Sequence, residues 1–127
     1  MIDELDNQLS QWKVIFTDCF KKWMIEQDVE TRKSVLSSLK RLEMFGPALT
    51  RPYADTLKNS AYKKMKELRV QHKGKPIRVF FAFDPLRQAI VLCAGDKSND
   101  KQFYVRMLRL AEQEFSHYLN NLENKSE

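Results

Sequence analysis

A stretch of alternating apolar and polar residues, 65–84, constrains the fold of this chain more than any other feature of its sequence. Its first arm, 65–72, alternates apolar with polar residues, and its second arm, 75–83, is apolar at most positions. A period of two residues is typical of β-strands, and the Lys73-Gly74 step between the arms is typical of a tight turn. The pattern therefore predicts a β-hairpin whose second arm is a central strand.

Closing this hairpin at 73–74 determines which residues face one another. His72 then lies opposite Lys75, so Arg69 lies opposite Arg78 and the two guanidinium groups share one face of the sheet. Like charges directly across a strand pair are destabilising, which suggests that an anion lies between them. The alternative is that both arginines point into solvent from an exposed face, and spacing alone favours this second interpretation.

The remaining helices and strands follow from apolar spacing and capping residues. The predicted order is β-α-α-β-β-β-α, with an N-terminal helical hairpin, a three-stranded meander and a C-terminal helix. This order indicates an α+β fold with a small antiparallel sheet, and the length predicts a single domain, 1–127. The predicted bounds are a strand at 12–16, a helix that Asp18 caps, a helix from Asp28 to Gly46, a loop at 46–63, a turn at 84–87, a strand at 88–94, and a helix from Asn99 to about Leu122.

The formal charge of +5 is unevenly distributed along the chain. Residues 58–78 hold eight Lys or Arg and one acid, whereas residues 1–30 hold three basic residues and seven acids. This polarity indicates either a face that binds a polyanion or a lysine-rich edge that discourages strand pairing, and charge alone favours neither.

No apolar run is long enough to span a bilayer and no signal-peptide pattern is present, so we expect a cytoplasmic protein without a membrane partner. Cys19 and Cys93 lie in apolar runs without CxxC spacing, which predicts buried free thiols. The three glycines have no phosphate-loop spacing, and no HExxH, Cys/His cluster or GxSxG motif is present, so we expect no metal and no cofactor.

After these exclusions, the candidate functional residues are a set of cations with aromatic residues among them. Arg69 and Arg78 share a sheet face with Phe80, and Lys97 and Lys101 precede Tyr104. One guanidinium group can bind two phosphate oxygens at once, and aromatic rings can stack on unpaired bases, so this set suits single-stranded RNA. The alternative is that the aromatic rings are core and the lysines are solvated.

Residues 45–104 carry a resemblance to a known family. The phrases KELRVQH, RVFFAFDP and AGDKSNDKQFY resemble the Gp49-like, HigB-type toxins of the RelE/ParE superfamily. The resemblance implies the toxin of a type II toxin–antitoxin pair, and a ribosome-dependent mRNA endonuclease that cuts in the ribosomal A site. It also implies metal-free attack of a ribose 2′-OH on the adjacent phosphate.

The resemblance also assigns roles to individual residues. Arg69 and Arg78 are expected to bind the scissile phosphate and to stabilise its transition state. Lys97 is expected to contact the phosphate or to protonate the leaving oxygen. The residues expected to bind RNA around them are Lys66, His72, Lys73, Lys101 and Tyr104.

The implied partners are a cognate helix-turn-helix antitoxin, which forms a hetero-oligomer with the toxin, and the ribosome with its mRNA. Two alternatives stay open at this point. The first is a ParE-like toxin that poisons DNA gyrase without cutting RNA, since the fold is shared. The second is an inactive, RNA-binding prophage remnant.

Overall fold

The computed structural model describes residues 11–125, which form one mixed sheet with helices on both of its faces. The strands are β1 (Lys13–Phe16), β2 (Ala54–Thr56), β3 (Lys66–His72), β4 (Lys75–Phe83) and β5 (Gln88–Asp96), and the helices are α1 (Asp18–Ile25), α2 (Val29–Phe45) and α3 (Phe103–Lys125), with a 3₁₀ turn at Gly46–Ala48. The spatial order of the strands is β1-β5-β4-β3-β2. The predicted α+β class is confirmed. No helix within residues 11–125 is long and apolar enough to cross a membrane.

The predicted hairpin is present with the predicted register. Strands β3 and β4 pair antiparallel, with His72 opposite Lys75 and Arg69 opposite Arg78. Lys73 and Gly74 both have positive φ, 48° and 80°, as the two central residues of a type I′ turn require. Because this turn admits a single register, it determines which side chains of the two strands share a face.

Two apolar cores lie on opposite sides of the central strand β4. On one side, α1 and α2 pack against a sheet face that includes Leu68 and Val79. On the other side, α3 packs its Phe103 and Phe115 against a face that includes Phe80. Burial of each such side chain stabilises the fold by about 1.5–3 kcal/mol, so the sheet is held from both faces.

A β-bulge in β5 changes which face its later residues occupy. Cys93 pairs with Phe80, but Val91 pairs with Phe81, so Leu92 is an extra residue between them. Leu92 and Cys93 consequently both belong to the core beneath α3. After the bulge, Gly95 lies opposite Arg78, on the sheet face that α3 covers.

Two predictions about the sheet are wrong. It is not wholly antiparallel, because β1 pairs parallel to β5, with Val14 beside Ala89. The segment 46–63 is not only a loop, because Ala54 pairs with Leu68 in the short edge strand β2. Both strands are short and lie at an edge of the sheet, where few residues carry an alternating pattern.

Two predicted helix starts also need correction. Thr17, not Asp18, caps α1, since its Oγ1 accepts the backbone N–H of Phe20 at 3.2 Å, and Asp18 is the first helical residue. Helix α3 begins at Phe103 rather than near Asn99, which has a φ of 53°. Asn99 therefore belongs to the turn that precedes the helix.

The predicted cap of α2 is confirmed, because Asp28 Oδ1 accepts the backbone N–H of Thr31 at 2.8 Å. Both described cysteines are free. Cys93 is buried as predicted, and burial raises the pKa of its thiol well above the usual range. Cys19 is only partly buried.

Candidate functional site

A buried carboxylate lies between the two facing arginines. Glu67 Oε2 is 3.3 Å from Arg69 Nε, and Glu67 Oε1 is 3.5 Å from Arg78 Nε. The side chain of Glu67 is 3% exposed, that of Arg78 is 12% exposed and that of Arg69 is 36% exposed. The anion that the repulsion suggested is thus one of the protein's own side chains, and the interpretation of two solvated arginines is wrong for Arg78.

Tyr104, in the first turn of α3, completes this arrangement. Its hydroxyl donates to Glu67 Oε1 at 2.7 Å and accepts from Arg78 Nε at 3.3 Å. Burial, followed by the hydrogen bond to Glu67, raises the pKa of the Tyr104 phenol, so the hydroxyl keeps its proton and stays a donor. Phe80 and Phe103 are fully buried and pack near its ring, so they belong to the core rather than to a base-stacking surface.

A second carboxylate, on the edge strand β2, holds the outer side of Arg69. Asp55 Oδ2 is 3.0 Å from Arg69 Nη2 and 2.9 Å from Arg51 Nη2. The hydrogen bond from Arg51 lowers the pKa of Asp55, so this carboxylate stays ionised near neutral pH. The contacts described here use Nε and Nη2 of Arg69, and its Nη1 lies outside them.

A groove of about 650 Å³ lies between segment 55–59 and the first half of α3, and the side chains described above line it, except those of Arg78, Phe80 and Phe103. This volume is within the range of about 300–1,000 Å³ that ligand sites occupy. Its walls carry charged, polar and apolar groups, which suits a ligand that carries both phosphates and bases. The lining residues are Arg51, Asp55, Thr56, Leu57, Lys58, Asn59, Glu67, Arg69, Tyr104, Val105, Leu108, Arg109 and Glu112.

The structure brings Lys97 to the same end of the sheet as Arg78. Its Nζ lies 5.6 Å from the centre of the Tyr104 ring, and its backbone N–H donates to the carbonyl of Pro76. Lys101 is exposed in the turn before α3. Of the predicted residues, Arg69, Arg78 and Tyr104 therefore contact one carboxylate, that of Glu67, and Lys97 lies beside the ring of Tyr104.

Three other residues that we predicted to bind RNA are not part of this set. Lys66 pairs with Phe81, whose ring belongs to the core on the opposite face of the sheet. His72 also faces away, and its Nδ1 is 2.7 Å from the hydroxyl of Ser34 on α2. Lys73 is exposed at the tip of the hairpin. Any contact of these residues with RNA would therefore lie outside the groove.

Sequence reasoning missed Glu67, Asp55 and Arg51. Alternation could have found Glu67, because residues two positions apart on a strand share a face and Glu67 is two positions from Arg69. Asp55 and Arg51 gave no comparable signal, since the strand β2 was not predicted. Within residues 11–125, no group of three or more His, Cys, Asp or Glu side chains is arranged to hold a metal ion.

Comparison with known proteins identifies relatives of this chain. Residues 13–116 match the family described as Phage derived protein Gp49-like (DUF891). The chain is 40% identical over 104 residues to the candidate toxin HigB2 of Mycobacterium tuberculosis (strain ATCC 25618 / H37Rv), covering 80% of this chain and 52% of HigB2. It is 39% identical over 107 residues to the candidate toxin HigB3 of the same organism, covering 84% of this chain and 92% of HigB3. The chain thus spans about half the length of one relative and most of the other.

A solved structure has the same fold. A double arginine-to-alanine mutant of the Escherichia coli toxin RelE, in the free state, matches with a TM-score of 0.53 over 73% of this chain and 90% of RelE. The sequence identity is 10%, so this likeness concerns the fold alone. It agrees with the predicted RelE-like architecture.

Proposed function

Because this chain belongs to the Gp49-like family, we propose that it is the toxin of a type II toxin–antitoxin pair. Its activity would be that of a ribosome-dependent mRNA endonuclease that cuts in the ribosomal A site and stops translation. The similarity to HigB2 and HigB3 supports a toxin, and the observation that carries the nuclease is the pair of facing arginines beside Glu67, of which Arg69 lines the groove.

The reaction that this site suits is a transfer within the RNA itself. The ribose 2′-OH gives its proton to solvent and attacks the neighbouring phosphorus, the bond to the 5′ oxygen breaks, and that oxygen takes up a proton from Lys97 or from solvent. The products are a 2′,3′-cyclic phosphate and a 5′-OH end. The phosphate gains negative charge in the transition state, and guanidinium donors held in place would stabilise that charge without a metal.

The cations predicted from the sequence and Tyr104 each have a role in this scheme. Arg69 and Arg78 would hold the non-bridging oxygens of the scissile phosphate, since a guanidinium group presents two parallel donors to such oxygens. Lys97 would hold the same phosphate or protonate the leaving 5′ oxygen. Tyr104 would stack on a base, and Lys101 would hold a flanking phosphate or ribosomal RNA.

The experiment is to express the protein in a bacterium and map the 5′ ends of its mRNA. Cuts inside reading frames that disappear when translation is blocked are expected, and Arg78→Ala should lower the cleavage rate by about a hundredfold or more. The matched control is Arg41→Ala, which removes an arginine of α2 that lies 4.0 Å from the ring of Tyr53, on the other side of the sheet. Circular dichroism of each variant checks that it is folded.

Two outcomes would contradict the nuclease. Growth arrest that persists with intact mRNA would reject it, and trapped DNA gyrase complexes under those conditions would identify a ParE-like poison instead. Harmless expression of well-folded protein would indicate an inactive remnant.

The expected partner is a small helix-turn-helix antitoxin that suppresses this activity by covering the groove or by blocking entry into the ribosome. Titration of the toxin with the product of a neighbouring reading frame of that type, in a translation assay, tests this. Full rescue is expected at a stoichiometric ratio, and an absence of rescue at that ratio would reject the pairing.

A further inference from the structure

Glu67 reduces the positive charge of the site that is proposed to bind a phosphate. The carboxylate is buried between Arg69 and Arg78, so the three side chains together carry a net charge of +1 rather than +2. A site selected only for phosphate affinity would gain from the absence of this carboxylate, because phosphate binding strengthens with each added positive charge. Its presence therefore requires an explanation other than binding strength.

The contacts of Glu67 restrict where both guanidinium groups can lie. Glu67 Oε2 accepts a hydrogen bond from Arg69 Nε–H, and Oε1 accepts one from the Tyr104 hydroxyl and forms an ion pair with Arg78 Nε. Arg78 Nη1 also donates to the carbonyl of Ile77 at 3.2 Å, and Arg69 Nη2 contacts Asp55. None of these contacts uses Nη1 of Arg69 or Nη2 of Arg78, which are the two amino groups that would contact a phosphate.

We infer that Glu67 is a positioning residue, which gives up phosphate affinity in order to hold two mutually repelling arginines in one arrangement. This inference rests on the proposed nuclease function of the same site. Without the carboxylate, the guanidinium groups of two directly opposed residues would move apart and sample several rotamers. A pre-arranged pair of donors accelerates the reaction because no reorganisation is needed when the charge develops on the phosphate.

The test variant is Glu67→Gln, which keeps the size of the side chain and removes its charge. RNA binding should become tighter, by about threefold if one unit charge acts at about 6 Å in a water-like medium. A plot of log Kd against log salt concentration should steepen by up to about 0.7. The kcat for cleavage of mRNA on programmed ribosomes should fall by about tenfold to a hundredfold, since small misplacements of catalytic groups have effects of that size.

Opposite changes in binding and cleavage distinguish positioning from a structural role. The binding probe is a short single-stranded RNA oligonucleotide, and cleavage is measured over a range of ribosome concentrations to separate kcat from KM. A loss of stability alone would weaken both or leave both unchanged. Tighter binding with unchanged kcat, or weaker binding with lower kcat, would overturn the inference.

Glu67→Gln both changes the net charge and removes a buried carboxylate, and one control variant matches each of these effects. Glu30→Gln makes the same change in net charge on α2, where Glu30 is 3.9 Å from Lys33, and it should change neither binding nor kcat. Asp84→Asn removes another buried carboxylate that accepts a tyrosine hydroxyl, from Tyr118 at 2.7 Å, at the opposite end of β4. It should lower stability without altering kcat below its unfolding temperature.

A conservative variant covers the case in which Glu67→Gln does not fold. Glu67→Asp keeps the charge and shortens the reach by one methylene group, so RNA affinity should match that of the wild type while kcat falls. A kcat equal to the wild-type value in Glu67→Asp, with a folded protein, would overturn the inference in that case.

Nuclear magnetic resonance separates this inference from the proposed function. The Nε–H signals of Arg69 and Arg78 can be assigned by their loss in Arg69→Lys and Arg78→Lys, and both should exchange slowly with water in the wild type. Faster exchange is expected in Glu67→Gln, and unchanged exchange would overturn the positioning role. If the wild type does not cleave mRNA but this exchange difference is present, the nuclease is wrong and the restraint on the arginines stands.

Discussion

Gly46 offers a sharp test of how the start of the described chain is held against α2. It follows α2 with a φ of 53° and a ψ of −133°, a region that residues with a Cβ rarely adopt. A Cβ at this position would overlap the indole Cδ1 and Nε1 of Trp12. Trp12 is itself fixed, because its backbone N–H donates to the carbonyl of Glu43 at 2.9 Å and its ring is 5.0 Å from that of Phe83.

Gly46→Ala should therefore be destabilising for two separable reasons. The backbone conformation contributes about 1–3 kcal/mol, and the overlap with the indole contributes about another 1–3 kcal/mol. The free energy of unfolding should fall by about 2–6 kcal/mol, out of a total that is typically about 5–15 kcal/mol. With an m-value of about 2 kcal/mol per molar urea, the midpoint of unfolding should shift by roughly 1–3 M.

Gly74→Ala is the matched control for the backbone contribution. Gly74 also has a positive φ, 80°, but no atom beyond its own chain neighbours lies within 4 Å of the position that a Cβ would take. Its cost should be only about 1–2 kcal/mol. Urea unfolding followed by circular dichroism measures both variants under the same conditions.

A double-mutant cycle isolates the overlap. In a Trp12→Ala background, Gly46→Ala should cost only the backbone contribution of about 1–3 kcal/mol, and the coupling between the two positions should exceed about 1 kcal/mol. Equal costs of Gly46→Ala and Gly74→Ala in the wild-type background, or an absence of coupling to Trp12, would refute the reasoning.

Two further predictions concern stability at other positions. Burial and the hydrogen bond to Asp84 raise the pKa of Tyr118 from 10.0 to about 12, so the folded state holds this proton more tightly and stability is lost as pH rises from about 10 to 12. The shift corresponds to at most about 2.7 kcal/mol of stability, which solvent screening at this partly exposed phenol reduces to about 1 kcal/mol. In urea unfolding at pH 9 and pH 12, Tyr118→Phe should therefore lose less stability at the higher pH than the wild type does. An equal loss in both proteins would exclude Tyr118 as the cause. Thr17→Ala should lower stability by about 1 kcal/mol or more, because Thr17 Oγ1 accepts from the N–H of Phe20 and donates to the carbonyl of Leu92 at 2.8 Å. Asp18→Ala should lower it by only about 0.3–1 kcal/mol, through the helix dipole. Thermal unfolding measures both variants, and a larger loss in Asp18→Ala would identify Asp18 as the cap.

The hairpin and its register were predictable because a two-residue turn leaves one choice of partners. That choice placed Arg69 opposite Arg78 and assigned Phe80 to the same face, as the structure has them. Glu67 gives no signal in the charge summed along the chain, because it is the one acid among eight basic residues in 58–78. The same alternation that places Arg69 on this face also places Glu67 there, so the information was present in the sequence.

Other parts of the site could not be found from local patterns. Asp55 lies on a strand of three residues between Pro52 and the polar stretch that follows, where periodicity has too few positions to be recognised. Tyr104 meets Glu67, 37 positions earlier, only because α3 crosses the sheet at that point. Contacts of this kind depend on packing between distant elements and not on spacing within one of them.

The extra residue at Leu92 gives β5 one position where a deletion need not disturb the sheet. Val91 and Cys93 belong to the cores on opposite faces and pair with the neighbouring residues Phe81 and Phe80. A chain without residue 92 could therefore close the bulge with every later pairing of β5 unchanged, and Gly95 would still lie beneath the ring of Phe103. Deletion of a regularly paired residue such as Ala94 would instead turn the residues beyond it to the other face of the sheet, so it should be far less tolerated than deletion of Leu92.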